Sequence, residues 1–325
     1  MKQQFHPAFD TMDALSMQGE PFFFMVDFLM EQVEVFPLHE LEIAPLWISF
    51  PGLNSGYRPE EIQKPLLLSA RPVSEEVYKK GFDEVQKHLK LGNSYLANYT
   101  TQTEIEVNYS LEEIFLASSA KYKVLYRDRF VFFSPETFVE VKDQRIYTHP
   151  MKGTIDAAVP DAEQVLKNDI KEKAEHYTVV DLLRNDLSMV ADEVRLTEFQ
   201  RIDFIRTRQK NLLAMSSEIS GALKPEFQDK VGSLMKTLLP AGSILGAPKP
   251  KTLEIILEAE EYHRGFYTGV CGYFDGQNLD SCVMIRFVEK LNDQLFFKSG
   301  GGITHLSKLA DEYQEMKNKI YVPVH

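Results

Sequence analysis

Residues 150–187 contain the stretch on which the interpretation of this chain depends. They open with PMKGT at 150–154, continue with KEKAEH at 171–176 and end with VVDLLRNDL at 179–187. The first piece predicts a turn bounded by proline and glycine, in which the Lys152 amine would lie near backbone donors. In the second piece Glu172 and Glu175 are three residues apart, so a helix places both carboxylates on one face. The same residues are also compatible with a solvated lysine and an exposed acidic helix face that have no catalytic role.

The spacing of apolar residues predicts the elements around this stretch. The predicted helices are 74–91 with Ser74 as N-cap, 111–119, 161–186, 225–239, one beginning at Pro248, and 308–322. The predicted strands are 21–28, 43–50, 95–107, 121–126, 129–134, 137–141, 145–148, 266–274, 280–290 and 294–299. Residues 1–20 show no periodicity and are predicted to be an irregular lead-in. Since the strands come in consecutive groups without β-α-β alternation, we predict an α+β fold with mainly antiparallel sheets.

Composition excludes several classes of partner. The chain has 325 residues, of which 44% are hydrophobic and 26% charged, with a net charge of -12. This balance argues against binding to nucleic acid or to an anionic membrane, and it requires any anionic substrate to meet local cations. Cys271 and Cys282 lie in apolar runs and are interpreted as buried, reduced thiols. The start MKQQFH has no apolar signal core, and no run approaches the roughly 18 apolar residues of a membrane span, so we expect a cytoplasmic protein.

Acidic residues on two predicted helices could form a metal site. Glu312, Glu315 and Lys319 share one face of the last helix, as Glu172 and Glu175 share one face of theirs. Four carboxylates could supply an all-oxygen site for Mg²⁺, although a solvated acidic helix face gives the same spacing.

Two further patterns are compatible with anion binding. The glycine-rich run GSILGAPK at 242–249 and the triple glycine at 300–302 allow close approach of a ligand to the backbone. Arg286 lies in the apolar run CVMIRFV, where a guanidinium needs a partner and could hold a carboxylate. Tyr267 could add a hydroxyl to the same anion. A structural turn and a structural salt bridge are the alternatives.

Taken in order, these pieces resemble the chorismate-utilising enzymes, which include anthranilate synthase component I, aminodeoxychorismate synthase component I, isochorismate synthase and salicylate synthase. The resemblance covers about residues 75–322, after a short and divergent N-terminal part, within one chorismate-binding domain over 1–325. It rests on nine motifs: 134–136, 150–154, 171–176, 181–187, 242–249, 264–267, 285–286, 300–303 and 312–319.

The resemblance implies two packed, largely antiparallel sheets with helices outside and the site between them. It implies that Mg²⁺ links the ring carboxylate of the substrate to the protein. The implied metal ligands are Glu175 and Glu315, supported by Glu172 and Glu312. Tyr267 and Arg286 match positions that hold the enolpyruvyl carboxylate, and substrate binding is also assigned to Thr154, Gly300, Gly301, Gly302 and Lys319. Glu136 matches the general acid that protonates the departing ring hydroxyl.

Lys152 separates the members of this family. The resemblance implies alanine there in anthranilate, isochorismate and salicylate synthases, and lysine in aminodeoxychorismate synthase component I. In that enzyme the lysine resembles a covalent nucleophile, which must be neutral to attack. Leu96, which stands where isochorismate and salicylate synthases carry a lysine that activates water, cannot act as a base.

The expected reaction is therefore amination of chorismate at carbon 4 with ammonia from a glutamine amidotransferase partner, for para-aminobenzoate and folate synthesis. The alternatives are anthranilate synthesis, with amination at carbon 2 and release of pyruvate, and a paralogue that binds chorismate without turnover. Two departures from the family pattern are Leu245, in place of a threonine or serine that would offer a hydroxyl to the pocket, and Ala214, in place of a histidine.

Overall fold

The structure is a computed structural model and describes residues 6–205 and 211–323. Its helices are α1 (Ala8–Met17), α2 (Glu75–Lys90), α3 (Leu111–Ala117), α4 (Ala162–Asn168), α5 (Ile170–Val190), α6 (Val231–Leu238), α7 (Gly242–Leu245), α8 (Lys249–Ala259) and α9 (Leu309–Asn318). Its strands are β1 (Phe22–Val26), β2 (Val33–Pro37), β3 (Leu46–Phe50), β4 (Leu53–Ser55), β5 (Leu68–Arg71), β6 (Leu96–Val107), β7 (Tyr122–Tyr126), β8 (Phe130–Ser134), β9 (Thr137–Lys142), β10 (Arg145–Thr148), β11 (Met151–Asp156), β12 (Ala191–Ile205), β13 (Leu212–Leu223), β14 (Gly246–Ala247), β15 (Val270–Phe274), β16 (Leu279–Val283), β17 (Phe287–Leu291) and β18 (Gln294–Ile303).

Within the described ranges the strands form two antiparallel sheets of nine strands each. The first has the order β11-β13-β10-β9-β16-β15-β1-β2, with β12 also paired to β13. The second has the order β14-β6-β18-β17-β8-β7-β3-β4, with β5 also paired to β6. Helices cover the outer faces of both sheets. The predicted fold class is confirmed.

Strand β8 shows how the sequence builds the layers. Its side chains alternate, so that Phe130 and Phe132 point into the cluster shared by the two sheets. Val131 and Phe133 point into the cluster between the second sheet and α3. Because both faces are covered, the strand is apolar from Phe130 to Phe133 instead of alternating with polar residues. The run at β1 is buried in the same way, as its sequence predicts.

Several predicted boundaries are wrong, for identifiable reasons. The lead-in forms α1, which is held by Phe9 and Met12 packing into the core rather than by its own periodicity. The predicted helix 161–186 is two helices, because Asp169 leaves helical geometry and caps α5 by accepting a hydrogen bond from the Glu172 N–H at 2.8 Å. The predicted strand 280–290 is split into β16 and β17, with Arg286 between them.

The two cysteines lie opposite one another on β15 and β16, where both thiols are fully buried. Their sulfur atoms are 3.4 Å apart and do not form a disulfide. Among the described residues, no helix is long and apolar enough to cross a lipid bilayer.

Candidate active site

A cavity of about 860 Å³ opens between the two sheets and beside the helices α5, α7 and α9. Most of the predicted site residues line it: Glu136, Glu172, Glu175, Tyr267, Arg286, Gly300, Gly301, Gly302, Glu315 and Lys319. They come from chain segments up to 183 positions apart, which only the pairing of the two sheets brings together. Glu312 on α9 is 3% exposed and does not line the cavity itself, but its Oε2 would lie 3.6 Å from a Cβ on the lining residue Gly301.

Glu136 lies in the short link between β8 and β9, and its carboxylate is held by a partner on another element. Ser243 Oγ donates a hydrogen bond to Glu136 Oε1 at 2.8 Å. Ser243 belongs to α7, which is formed by the glycine-rich run, and it lines the cavity. This serine was not among the predicted site residues, although the motif that contains it was recognised.

The cationic side of the cavity is built around the C-terminal end of α9. Lys319 donates from Nζ to the Gly300 carbonyl at 2.8 Å and pairs with Glu315 Oε1 at 2.7 Å. The Arg286 guanidinium lies over the Tyr321 ring at 4.7 Å and donates to the Lys319 carbonyl at 3.4 Å. Arg286 has φ 55°, a left-handed value that costs a non-glycine residue energy and that often marks functional positions.

Tyr267 is 4% exposed and sits at the inner wall of the cavity. Burial raises the pKa of its phenol above the ordinary value, against the opposing effect of the Arg264 charge. The hydroxyl therefore stays protonated at neutral pH and can donate a hydrogen bond to an anion. The sequence placed Tyr267 on a strand, but it lies just before β15, in the turn that follows Arg264.

The four candidate metal ligands come from two helices that face the cavity. A Cβ added to Gly301 would lie 3.3 Å from Glu315 Oε1 and 3.6 Å from Glu312 Oε2, so both carboxylates of α9 reach the same point of β18. From α5, the Glu172 carboxylate lies against Gly153, where an added Cβ would be 2.9 Å from Oε2. These donors are all carboxylate oxygens, which is the set that Mg²⁺ prefers.

The predicted turn at 150–154 is instead the bulged start of β11. The pairing of β11 with β13 shifts register between Met151 and Thr154, and Gly153 adopts φ 80°. A bulge of this kind redirects side chains next to a site. Met151 and Gly153 both line the cavity. The side chains of Lys152 and Thr154 lie outside the described part of the structure.

The motif at 181–187 has a structural role. Asp186 on α5 is 7% exposed and accepts from Lys249 Nζ at 2.9 Å, while the same ammonium donates to the Leu238 carbonyl at 2.7 Å. Burial raises the pKa of Asp186, and the Lys249 charge opposes that rise. The pair fixes the glycine-rich run against α5 and thereby places Ser243 beside Glu136.

The expected effect of Leu245 on the pocket is wrong. Leu245 is fully buried in a small apolar cluster with Phe28 and Ile256 and is not part of the described cavity wall. Within α7, Ser243 and Ile244 face the cavity, whereas the side chain at position 245 points away from it. Ala214 is buried on β13, opposite Thr154 and Asp203 on its two neighbouring strands.

Lys298 is a cavity-lining residue that the sequence did not identify. Its side chain is 1% exposed and pairs with Glu289 at 2.6 Å, and it donates to the Arg264 carbonyl at 2.9 Å. Burial lowers its pKa against the pull of Glu289. The sequence around this lysine, FFKSGGG, does not indicate its partner, because Glu289 lies on the neighbouring strand β17.

Glu140 and His149 form a second missed group at the far side of the cavity. The ring nitrogen His149 Nε2 lies 3.2 Å from Glu140 Oε2, and Lys121 and Lys142 lie 3.7 and 3.4 Å from the same carboxylate. The hydrogen bond with His149, with help from both lysines, lowers the pKa of Glu140 from 4.5 to about 2.

This depressed pKa predicts how stability depends on pH. Because the folded-state pKa of Glu140 lies below the unfolded value, its contribution is complete above about pH 4.5 and is lost as the pH falls towards 2. We expect Glu140→Gln to lower the free energy of unfolding near neutral pH, with the difference from wild type shrinking in acid. Urea denaturation at a series of pH values from about 2 to 7 measures this difference in the free energy of unfolding. Glu163→Gln, which disrupts an exposed helix pair, is the control with little change, and a difference for Glu140→Gln that is constant with pH would contradict the prediction.

Comparison with known proteins identifies the family to which this fold is related. The sequence profile described as chorismate binding enzyme matches residues 40–325. The chain is 50% identical over 308 residues to an uncharacterized PabA-like protein of Pasteurella multocida, covering 94% of this chain and 95% of the relative. It is 32% identical over 265 residues to aminodeoxychorismate synthase component 1 of Escherichia coli, covering 76% of this chain and 57% of that protein.

The solved structures agree with the sequence comparison. The crystal structure of anthranilate synthase component I from Streptococcus pneumoniae aligns with a TM-score of 0.67 and 26% identity. The alignment covers 79% of this chain and 59% of that chain, so the present chain spans somewhat more than half of that protein.

Proposed function

The chain belongs to the family of chorismate binding enzymes, and from this premise we propose that it aminates chorismate at ring carbon 4 to give 4-amino-4-deoxychorismate. The observation that carries this choice is the lysine at position 152. It lies in the bulge of β11 between Met151 and Gly153, which both line the cavity. A related protein at 32% identity is an aminodeoxychorismate synthase component 1, which is consistent with this reaction.

Binding of the substrate follows from the charges of the cavity. Chorismate is a dicarboxylate, and the chain as a whole carries a net charge of -12. Three cations line the cavity and bring positive charge to it: Arg286, Lys298, which is paired with Glu289, and Lys319, which is paired with Glu315. We assign the enolpyruvyl carboxylate to Arg286 and the Tyr267 hydroxyl, since a guanidinium and a neutral phenol both donate to a carboxylate.

We propose that Mg²⁺ binds the ring carboxylate. Glu175 and Glu315 would hold the ion, with Glu172 and Glu312 behind them, and the all-oxygen character of these four donors fits this cation. When bound, the ion would neutralise the carboxylate and draw electron density from the ring. The proximity of both α9 carboxylates to Gly301 supports this assignment, because an added Cβ there would lie only 3.3 Å from Glu315 Oε1 and 3.6 Å from Glu312 Oε2.

We propose that the amination proceeds through two successive displacements on the substrate ring. The neutral Lys152 amine forms a C–N bond to the ring while the C4–O bond breaks, and Glu136 gives its proton to the departing hydroxyl, which leaves as water. Ammonia next forms a C–N bond at carbon 4 while the bond to Lys152 breaks, and the lysine leaves as a free amine. Ser243 orients Glu136 for the first step through its hydrogen bond of 2.8 Å.

We further propose that a glutamine amidotransferase partner delivers the ammonia. The name of the Escherichia coli relative as a component 1 supports a partner subunit. Free ammonium salt at mildly alkaline pH should replace this partner in vitro, because the second displacement needs only ammonia.

Product identity tests the reaction. Purified chain is incubated with chorismate, Mg²⁺ and ammonium salt, and the product is identified by mass and chromatography. We expect 4-amino-4-deoxychorismate and no release of pyruvate. Anthranilate with an equivalent of pyruvate would instead assign the reaction of the Streptococcus pneumoniae structural relative. Chorismate that binds but stays unchanged, even with an amidotransferase and glutamine, would indicate a protein that binds without turnover.

A further inference from the structure

Helices α2 and α8 carry three metal-ligating side chains at a surface away from the described cavity wall. Glu84 and His88 are four residues apart on one face of α2, and Glu258 lies on the facing side of α8. One ligand atom from each lies within 4.8 Å of the others. The two helices pack so closely that a Cβ at Gly81 would lie 2.6 Å from the Ala259 carbonyl oxygen.

Two of the separations in this group are close to those between neighbouring ligands of a metal ion. His88 Nε2 lies 3.2 Å from Glu84 Oε1 and 3.6 Å from Glu258 Oε2. Ligands of a tetrahedral ion with bonds of about 2.0–2.1 Å are separated by about 3.3–3.4 Å along each edge. Moreover, Nε2 is buried and makes no well-directed hydrogen bond among the described residues.

The His88 imidazole is also oriented by Asn93, which contacts the ring nitrogen on the side opposite the proposed metal. Asn93 approaches His88 Nδ1 with its amide at 2.9 Å, and the Asn93 backbone N–H donates to the His88 carbonyl at 3.0 Å. A half-turn of the Asn93 amide exchanges its oxygen and nitrogen. Nδ1–H then donates to the amide oxygen and leaves the Nε2 lone pair for a metal, which is the usual support of a metal-bound histidine.

We propose that Glu84, His88 and Glu258 bind a divalent transition-metal ion such as Zn²⁺ and clamp α2 to α8. A nitrogen donor with two carboxylates favours Zn²⁺, Co²⁺, Ni²⁺ or Cu²⁺ over Mg²⁺. Glu258 is 60% exposed, so a water molecule can occupy the fourth position. The ion displaces the ammonium of Lys87, which pairs with Glu84 Oε1 at 2.7 Å and, being 58% exposed, is free to turn into solvent.

Metal titration of the full chain tests this site. Protein stripped with a chelator is titrated with Zn²⁺ by calorimetry in buffer that contains millimolar Mg²⁺, which occupies all-oxygen sites. We expect one Zn²⁺ per chain that Mg²⁺ does not displace. Substitution of Co²⁺ should give the visible absorption bands of a tetrahedral ion with a nitrogen ligand.

Variants assign the ligands. His88→Gln and Glu258→Gln should each weaken Zn²⁺ binding by at least about 100-fold, and Asn93→Ala, which removes only the orienting group, by about tenfold. Glu258 is mostly exposed, so its variant should fold like wild type. His39→Gln is the matched control, because His39 also lies between two glutamates but is 69% exposed and should leave binding unchanged. The proposal is overturned if no Mg²⁺-resistant binding occurs or if binding persists in His88→Gln.

Discussion

Replacing Lys152 with alanine should abolish amination while chorismate binding is retained. Without the amine, the first C–N bond cannot form and both displacements are lost. We expect kcat to fall by at least about 10³-fold, equivalent to about 4 kcal/mol of transition-state stabilisation. Because the anion-binding groups Arg286, Tyr267 and Lys319 remain, the dissociation constant of chorismate should change by less than about threefold.

The measurement is the rate of 4-amino-4-deoxychorismate formation from chorismate, Mg²⁺ and ammonium salt, with chorismate affinity measured separately by calorimetry. Lys167→Ala is the control, since this lysine lies on the neighbouring α4, pairs with Glu163 and is 32% exposed. An alanine variant at 152 with near wild-type turnover would remove the covalent role of the lysine. The chemistry would then be a direct attack of ammonia on the ring.

Replacing Glu260 with alanine should lower the free energy of unfolding more than any other substitution proposed for this protein. The Glu260 and Arg264 side chains are 3% and 2% exposed and form an ion pair, with Arg264 Nε donating to Glu260 Oε2 at 2.8 Å. Thr100 donates to Glu260 Oε1 from both its backbone N–H and its hydroxyl, each at 2.8 Å. Removal of the carboxylate leaves a buried guanidinium without its counter-charge, which costs about 3–5 kcal/mol.

The control for this change is Glu254→Ala on α8, the helix that ends just before Glu260. Glu254 pairs with Lys251 at 2.7 Å, but the two side chains are 67% and 45% exposed, so the loss should stay below about 1 kcal/mol. The free energy of unfolding from urea denaturation at neutral pH measures both variants. A loss for Glu260→Ala no larger than that of the control would show that the buried pair does not stabilise the fold.

Glu260→Ala should also disturb the cavity. Arg264 donates to the Thr268 hydroxyl at 3.1 Å and to the carbonyl of Asn98, and both of these residues line the cavity. Activity in this variant is therefore expected to fall together with stability, whereas Lys152→Ala should lose activity and keep its stability. The two variants thus separate chemical from structural effects.

The amino-acid sequence by itself determined the local elements. Ser74 caps α2, accepting from the Val77 N–H at 3.3 Å as predicted, because capping depends on residues within one turn. The apolar runs FFFMV in β1 and FVFF in β8 mark strands covered on both faces. The resemblance, carried by short motifs in order, predicted the two-sheet fold and named residues that the structure brings to one cavity.

The tertiary structure decided the features that depend on distant partners. The antiparallel strands β12 and β13 have no clear two-residue alternation, because their pairing shifts register at three places and each shift interrupts the pattern. The contact of Ser243 with Glu136 joins residues 107 positions apart. The left-handed backbone of Arg286 and the bulge at Gly153 are likewise imposed by their neighbours, since side-chain periodicity carries no information about which strand lies beside which.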